Sequence, residues 1–205
     1  MSVQLVKSTR VEQKAATRIA LKDAAARSFA ERGFNEATIA DITRAAGVAL
    51  GTFYVHFENK DEILDEMLAE FNLELVAKVG PLVGEGHVTD ERAVLRRLAE
   101  IFLDHWQENR TFVTAYAQKA GGGLSIQTLR DGANPPMFEL LVAMIERQGH
   151  AGGSAARRAP LVAHGLLALW LRLGMQYLFG PNVDRNELIT VLVDMTHGAI
   201  KGTKS

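Results

Sequence analysis

Apolar residues recur three and four positions apart along nearly the whole chain, and glycine and proline fall between these runs more often than inside them. That spacing places an apolar stripe along each of a series of α-helices. Runs that alternate apolar and polar residues, as a half-buried strand requires, are few. The fold class that follows is all-α with about nine helices, near residues 12–32, 38–45, 49–55, 59–79, 90–109, 110–120, 137–148, 157–179 and 184–200.

The punctuation supports this division. Gly33 follows the first run as a C-terminal stop, and Thr38-Ile39-Ala40-Asp41 is a capping-box pattern that opens the second helix. Asn59 with Glu62 three residues on opens the fourth, which Gly80-Pro81 is expected to end. In the fifth, Val94, Leu95, Leu98, Ile101, Phe102 and Trp106 make one stripe, with Arg96, Arg97, Glu100, Asp104 and Gln107 opposite. Gly121 to Pro136 reads as an irregular stretch and a candidate gate, and Gly152-Gly153-Ser154 as a turn. Asp184 and Glu187 cap the last helix.

Composition matters mainly for what it excludes. None of the 205 residues is cysteine, so disulfides, thiolate zinc sites and cysteine nucleophiles are out. The start of the chain carries no export signal, and its richest apolar stretch, Leu161 to Phe179, is broken by His164, Arg172 and Gln176. A cytoplasmic location with no membrane partner is expected. The chain lacks His-Glu-x-x-His, a nucleophile elbow, a P-loop lysine and a dinucleotide fingerprint. An enzyme is therefore not expected, and neither catalytic residues, a metal nor a cofactor is assigned. The net charge of −1 hides a division: residues 1–60 hold nine Lys and Arg against six Asp and Glu, and residues 61–205 fourteen against eighteen. A basic head on an acidic body suits a nucleic-acid partner for the head.

Thr38 to Lys60 carries the most specific pattern. Two short helices flank the tight turn Ala46-Gly47-Val48, where glycine adopts positive φ at little cost. Ile39, Ile42, Ala46 and Val48 are spaced to pack these helices on the first, and Phe53 and Phe57 can point inward. The ungapped run Ala24-Ala25, Phe29, Gly33-Phe34, Thr38, Asp41-Ile42, Ala46-Gly47-Val48, Gly51-Thr52-Phe53-Tyr54, His56-Phe57 and Lys60 resembles the N-terminal signature of the tetracycline-repressor (TetR) family over about residues 18–64. The resemblance implies a helix-turn-helix DNA-binding domain over 1–60 and a ligand-binding and dimerisation domain over 61–205.

By that resemblance Thr38, Tyr54, His56 and Lys60 are phosphate or backbone contacts. Thr52 and Gly51 approach bases, and Arg44 is a candidate for either kind of contact or an exposed charge. Lys7, Arg10, Lys14 and Arg18 form a basic arm or a solvated tail. The chain departs from the family's usual pattern at Ala49, which cannot cap through a hydroxyl, and at Leu50. Leu50 can touch thymine methyl groups but cannot read hydrogen-bonding base edges.

In the body, the helix near 157–179 is apolar almost all round, so it is expected to be buried on more than one side. The resemblance implies that it pairs with the last helix as half of an intersubunit four-helix bundle. The homodimer would meet a near-palindromic operator in double-stranded DNA, with recognition helices ~34–36 Å or somewhat more apart. Met137, Phe138, Met144, Phe102, Trp106, Tyr116 and Trp170 are candidates for the wall of an apolar pocket for an unknown small-molecule effector, though most residues of this kind are simply core; His105, on or beside the apolar stripe of its helix, reads first as a hydrogen-bonded, partly buried histidine and second as a ligand contact. The implied function is a repressor released by a small apolar or amphipathic ligand. Two alternatives stay open: a small-molecule sequestering protein with a degenerate head, and an architectural DNA-binding protein, which would bind with salt dependence but without sequence choice.

Overall fold

The computed structural model describes residues 9–84, 90–119, 135–148 and 154–202. Among them lie nine helices: α1 (Arg10–Arg32), α2 (Ile39–Ala46), α3 (Leu50–His56), α4 (Lys60–Gly84), α5 (Glu91–Glu108), α6 (Arg110–Lys119), α7 (Pro135–Gln148), α8 (Ser154–Phe179) and α9 (Arg185–Gly202). Lys7, the residues from Gly121 to Asn134, and Gly152-Gly153 fall outside the described residues.

The chain divides into two compact units, Met1–Met67 with Thr111–Gly122, and Leu68–Arg110 with Gly123–Ser205. The division thus falls seven residues later than the last motif residue, Lys60, and α6 joins the first unit. The reason is local. The Lys119 ammonium pairs with Asp61 at 2.7 Å and stands 4.9 Å over the Phe34 ring, while the Gln118 amide donates to the Ala30 carbonyl at 3.4 Å.

In the first unit, α1 is opened by a reciprocal capping box between Thr9 and Glu12 and closed by Gly33, whose φ of 86° and ψ of 151° suit glycine. Leu21, Ala24, Ala25 and Phe29 form its fully buried stripe, and Ile42, Phe53, Ile63 and Leu64 meet it from later in the chain. Each such large side chain contributes roughly 1.5–3 kcal/mol by leaving water. A buried-edge cluster locks the unit. The Arg18 guanidinium donates to both oxygens of Glu66 and, at 2.6 Å, to the His56 carbonyl, and stacks 4.2 Å over Phe57. Lys22 joins Glu66 at 3.2 Å. The hydrogen bond from Arg18 holds the Glu66 carboxyl below the usual carboxylate range against the opposing effect of burial. Arg18 thus serves the core edge, whereas the sequence had placed it in a basic arm.

In the second unit α5 buries Leu95, Leu98, Ala99, Phe102, Leu103, His105 and Trp106. It packs on α9, whose buried stripe is Leu188, Ile189, Leu192, Val193, Thr196 and Ile200. Ion pairs Arg92–Asp194 and Arg185–Asp104 flank that contact. α8 packs against α5, α7 and α9. By length and composition it is the one described helix apolar enough to cross a membrane.

One proline departs from expectation. α4 continues through Pro81 to Gly84 although the proline loses the hydrogen bond to the Ala77 carbonyl and crowds that oxygen, a cost confined to the helix's last turn. Buried Val79 and Val83 hold the turn on either side. α8 starts at Ser154, three residues before the expected 157, and includes Pro160 as expected; the Pro160 carbonyl accepts a hydrogen bond from the His164 ring at 2.9 Å.

Candidate nucleic-acid interface and ligand cavity

The turn between α2 and α3 is built as a helix-turn-helix requires. Thr38 caps α2: its hydroxyl accepts from the Asp41 amide at 3.1 Å and donates to the Asp41 carboxylate at 2.6 Å. That hydroxyl, then the Thr38 amide, holds the Asp41 carboxyl below the ordinary carboxylate range. Gly47 sits in the left-handed region (φ 69°, ψ 28°) and returns its N–H to the Thr43 and Arg44 carbonyls. The N-cap of α3, Ala49, makes no side-chain capping bond. Phe53 and Phe57 are buried, which turns the opposite face of α3 outward.

That outward face carries Leu50 (51% exposed), Tyr54 (59%) and Val55 (67%), with exposed Gly51 between them and half-exposed Thr52 beside them. A Cβ built on Gly51 would meet no atom within 4 Å. Exposed Thr38 lies at the start of α2, and the Arg44 side chain, 74% exposed, pairs with Asp41 at 3.1 Å. The surface can therefore pack methyl and aryl groups against base edges and offer hydroxyls and a guanidinium to phosphates.

His56 and Lys60 lie elsewhere. The His56 ring is buried, and its Nδ1 has no partner. Burial first, and then the charges of Arg18 and Lys14, push its pKa down. The Lys60 ammonium donates to three backbone carbonyls, those of Phe34 at 2.8 Å, Asn35 at 3.1 Å and Ala37 at 2.8 Å, and stands 5.0 Å over the Phe34 ring. An ammonium has three N–H groups, and here all three point into the loop between α1 and α2.

The second unit holds a cavity of about 730 Å³ of atom-free space, its mouth included. From α4 come Phe71, Asn72, Leu75, Val79 and Val83, and from α5 Leu95, Leu98, Phe102 and Trp106. From α7 come Met137, Leu140, Leu141 and Met144, from α8 Leu167, Trp170 and Leu171, and from α9 Thr196. The wall is apolar apart from the two indole N–H groups, Asn72 and Thr196, which is the lining a small-molecule site has. Phe102 bridges the two indoles, with centroids 5.0 Å from Trp106 and 5.2 Å from Trp170. The Trp170 N–H donates to the Thr196 hydroxyl at 2.9 Å. The Trp106 N–H, by contrast, is buried without an acceptor among the described residues. Gly174 of α8 lets the backbone approach this cluster, since a Cβ there would lie 3.0 Å from both the Phe102 and Trp106 rings.

Five of the eight pocket candidates, Phe102, Trp106, Met137, Met144 and Trp170, line this cavity, and three do not. His105 lies behind the wall. Its Nε2–H donates to the Phe71 carbonyl at 2.9 Å, and its Nδ1 faces the Lys78 ammonium at 3.2 Å and the Asn109 amide at 3.3 Å. A carbonyl only accepts, which fixes the proton on Nε2, and burial pushes the ring's pKa down. Phe138 packs 4.4 Å from the His164 ring, and Tyr116 lies in the first unit beside Phe112. Sequence reasoning missed the α4 wall, although Phe71, Leu75, Val79 and Val83 recur every four residues. It also missed Asn72 and Thr196, for which no sequence signal existed. Among the described residues no cluster of His, Asp or Glu is placed to hold a metal.

Residues 21–67 match the family model described as bacterial regulatory proteins, tetR family. The chain is 36% identical over 103 residues to the HTH-type transcriptional repressor KstR2 of Rhodococcus jostii, half of each protein. It is 45% identical over 51 residues to KstR2 of Mycobacterium tuberculosis, 25% of this chain and 26% of that protein. These alignments thus span half or less of the relatives' length. A longer alignment, 183 residues at 30% identity, covers 85% of this chain and 90% of the HTH-type nicotine-responsive transcriptional repressor HdnoR of Paenarthrobacter nicotinovorans. In fold the chain resembles a TetR-family regulator of Syntrophomonas wolfei (TM-score 0.74, 18% identity, 94% and 97% of the two chains). It also resembles the fatty acid degradation regulator FadR of Bacillus halodurans (TM-score 0.72, 19% identity, 93% and 96%).

Proposed function

Because this chain belongs to the tetR family of bacterial regulatory proteins, we propose that it is a sequence-specific, homodimeric repressor released from its operator by a small apolar ligand. The observation that carries this reading is the pairing, in one chain, of an outward-facing recognition helix and an apolar cavity. Thr38, Arg44, Leu50, Gly51, Thr52 and Tyr54 form the DNA-facing set. Lys60 and His56 support it from beneath, Lys60 by tying down the loop before α2.

Dimerisation falls to α8 and α9, which leave Leu161, Phe179, Val191 and Met195 exposed. A second copy would cover these apolar side chains as one self-complementary patch. The effector sits in the cavity. It touches α4 through Phe71, Leu75, Val79 and Val83, on the same helix that begins at Lys60. A ligand that fits one placement of α4 better than another shifts the population of head spacings and so operator affinity. The chain is cytoplasmic and acts on double-stranded DNA.

The test is selection of duplexes from a random pool by the purified protein, followed by salt titration. Recovery of a near-palindrome, lost in Tyr54→Ala, is the expected result. Salt-sensitive binding with no sequence enriched would replace the repressor with an architectural protein. Ligand binding without DNA binding would leave a sequestering protein.

A further inference from the structure

Resting on the reading of α3 as the recognition helix, we infer that the protein senses the C5 methyl group of a pyrimidine whichever base carries it, so that cytosine methylated at C5 replaces thymine in its operator. The basis is what the outward face of α3 holds. At about 100° of rotation per residue, Leu50, Tyr54, Gly51 and Val55 follow one another across an arc of roughly 140°, opposite buried Phe53 and His56. All four positions of that arc are exposed.

Over its whole length, Leu50–His56, the helix carries no arginine, lysine, asparagine, glutamine, aspartate or glutamate. Those are the side chains that tell one base from another through hydrogen bonds to base edges in the major groove. The hydroxyls of Tyr54 and half-exposed Thr52 each donate and accept, so they pair with thymine O4 or with the cytosine amino group. The face offers hydrocarbon instead. Leu50 stands at one edge and Val55 at the other, with no side chain at Gly51 between them. Buried Phe53 braces the Tyr54 ring edge-on, with centroids 5.6 Å apart.

The apolar group that a base pair presents in the major groove is the C5 methyl of thymine. 5-Methylcytosine carries the same methyl at the same ring position, beside an amino group in place of O4. A surface that packs on the methyl and accepts either neighbour treats the two bases alike. Duplex DNA, rather than an apolar protein surface, is the occupant that the charge of the head suits. Residues 1–60 hold nine Lys and Arg against six Asp and Glu. Enzymatic C5 methylation of cytosine would thus create or strengthen sites for this protein without changing the base sequence.

The probe is the duplex that the full-length protein selects from a random pool. At each T·A pair of its half-sites, Kd is measured for four versions: T·A, U·A, C·G and 5-methylcytosine·G. The members of each neutral comparison, T against U and 5-methylcytosine against C, differ by one methyl group. Burying one such group is worth about fourfold in affinity. Expected is a position where T·A binds tighter than U·A by about that factor, and 5-methylcytosine·G tighter than C·G by the same factor. Both ratios fall toward one in Leu50→Ala or Val55→Ala; these side chains are exposed, so neither variant disturbs the core. Three results overturn the inference while sequence-specific binding stands: no position that distinguishes T from U, a T effect without a 5-methylcytosine effect, or ratios that persist in both alanine variants. A pool that yields no enriched duplex removes the repressor reading, and the inference with it.

Discussion

Replacing Lys60 with methionine separates two roles that the same residue could play. If its ammonium held a phosphate, the variant would fold normally and lose DNA affinity in a salt-dependent way, with the slope of log K against log salt falling by about 0.9 per protomer. The structure points to the other outcome. The ammonium spends its three N–H groups on the carbonyls of Phe34, Asn35 and Ala37, within 3.1 Å of each. Hydrogen bonds to a charged group contribute about 1.5–3 kcal/mol each when buried. Here the loop is partly exposed, and the freed carbonyls of Asn35 and its neighbours regain water, so the three together are worth about 2 kcal/mol. Methionine keeps most of the side-chain packing on Phe34 and removes only the donors. For a chain of this size ~2 kcal/mol lowers Tm by roughly 4–8 °C. The assay is thermal unfolding beside operator binding at several salt concentrations. The expected result is lower Tm with an unchanged salt slope, whereas Arg44→Ala reduces the slope and leaves Tm alone. An unchanged Tm with a reduced slope in Lys60→Met would refute the reasoning.

Three further outcomes follow from the same geometry. Gly47→Ala should lose about 1–2 kcal/mol in urea unfolding, because φ is +69° there and nothing crowds the missing side chain; Gly47→Asn, which tolerates that region, should lose much less, and equal losses would count against a conformational cause. Burial depresses the pKa of both His105 and His56, so the unfolded chain takes up their protons first as pH falls below about 6.5. Stability is then fully present above that pH and declines beneath it, and His105→Gln should make the decline shallower; an unaltered slope would contradict the assignment. Finally, exposed Leu50 and Val55 can read thymine only through its methyl. Exchanging thymine for uracil in a selected operator should weaken binding severalfold for the wild type and hardly at all for Leu50→Ala; equal weakening in both would remove Leu50 from the readout.

The parts legible in the sequence are those set by local rules. The capping box at Thr38, the Asn59 cap before α4, the left-handed glycine at position 47 and the apolar stripe of α5 all act within a few residues, so their pattern fixes their structure. Pro81 misled because the cost of a proline in a helix's last turn is confined to that turn, where buried Val79 and Val83 offset it. The site was harder. Thr196 and Trp170 meet across 26 positions and Arg18 and Glu66 across 48, distances at which periodicity carries no information. His105 sat at the edge of its stripe and could as well have faced the cavity; the carbonyl of Phe71 decided otherwise. Lys60 shows the limit of motif reading most plainly, since a lysine's position in a pattern does not reveal where its ammonium points.

Gly51 has a consequence for how such a protein changes over generations. It lies on the outward face of α3, and beyond its chain neighbours and its own helix's backbone no atom stands within 4 Å of where its side chain would begin. Glycine is also a poor helix former, by about 1 kcal/mol against alanine in a helix interior and less in a first turn such as this one. Most substitutions that alter what a binding surface recognises erode the fold that presents it. At this position the two effects part company: a serine, asparagine or arginine would add a new group toward the base edges and strengthen α3 at once. Descendants of this chain can therefore drift to new operators through position 51 without first accumulating a reserve of stability elsewhere.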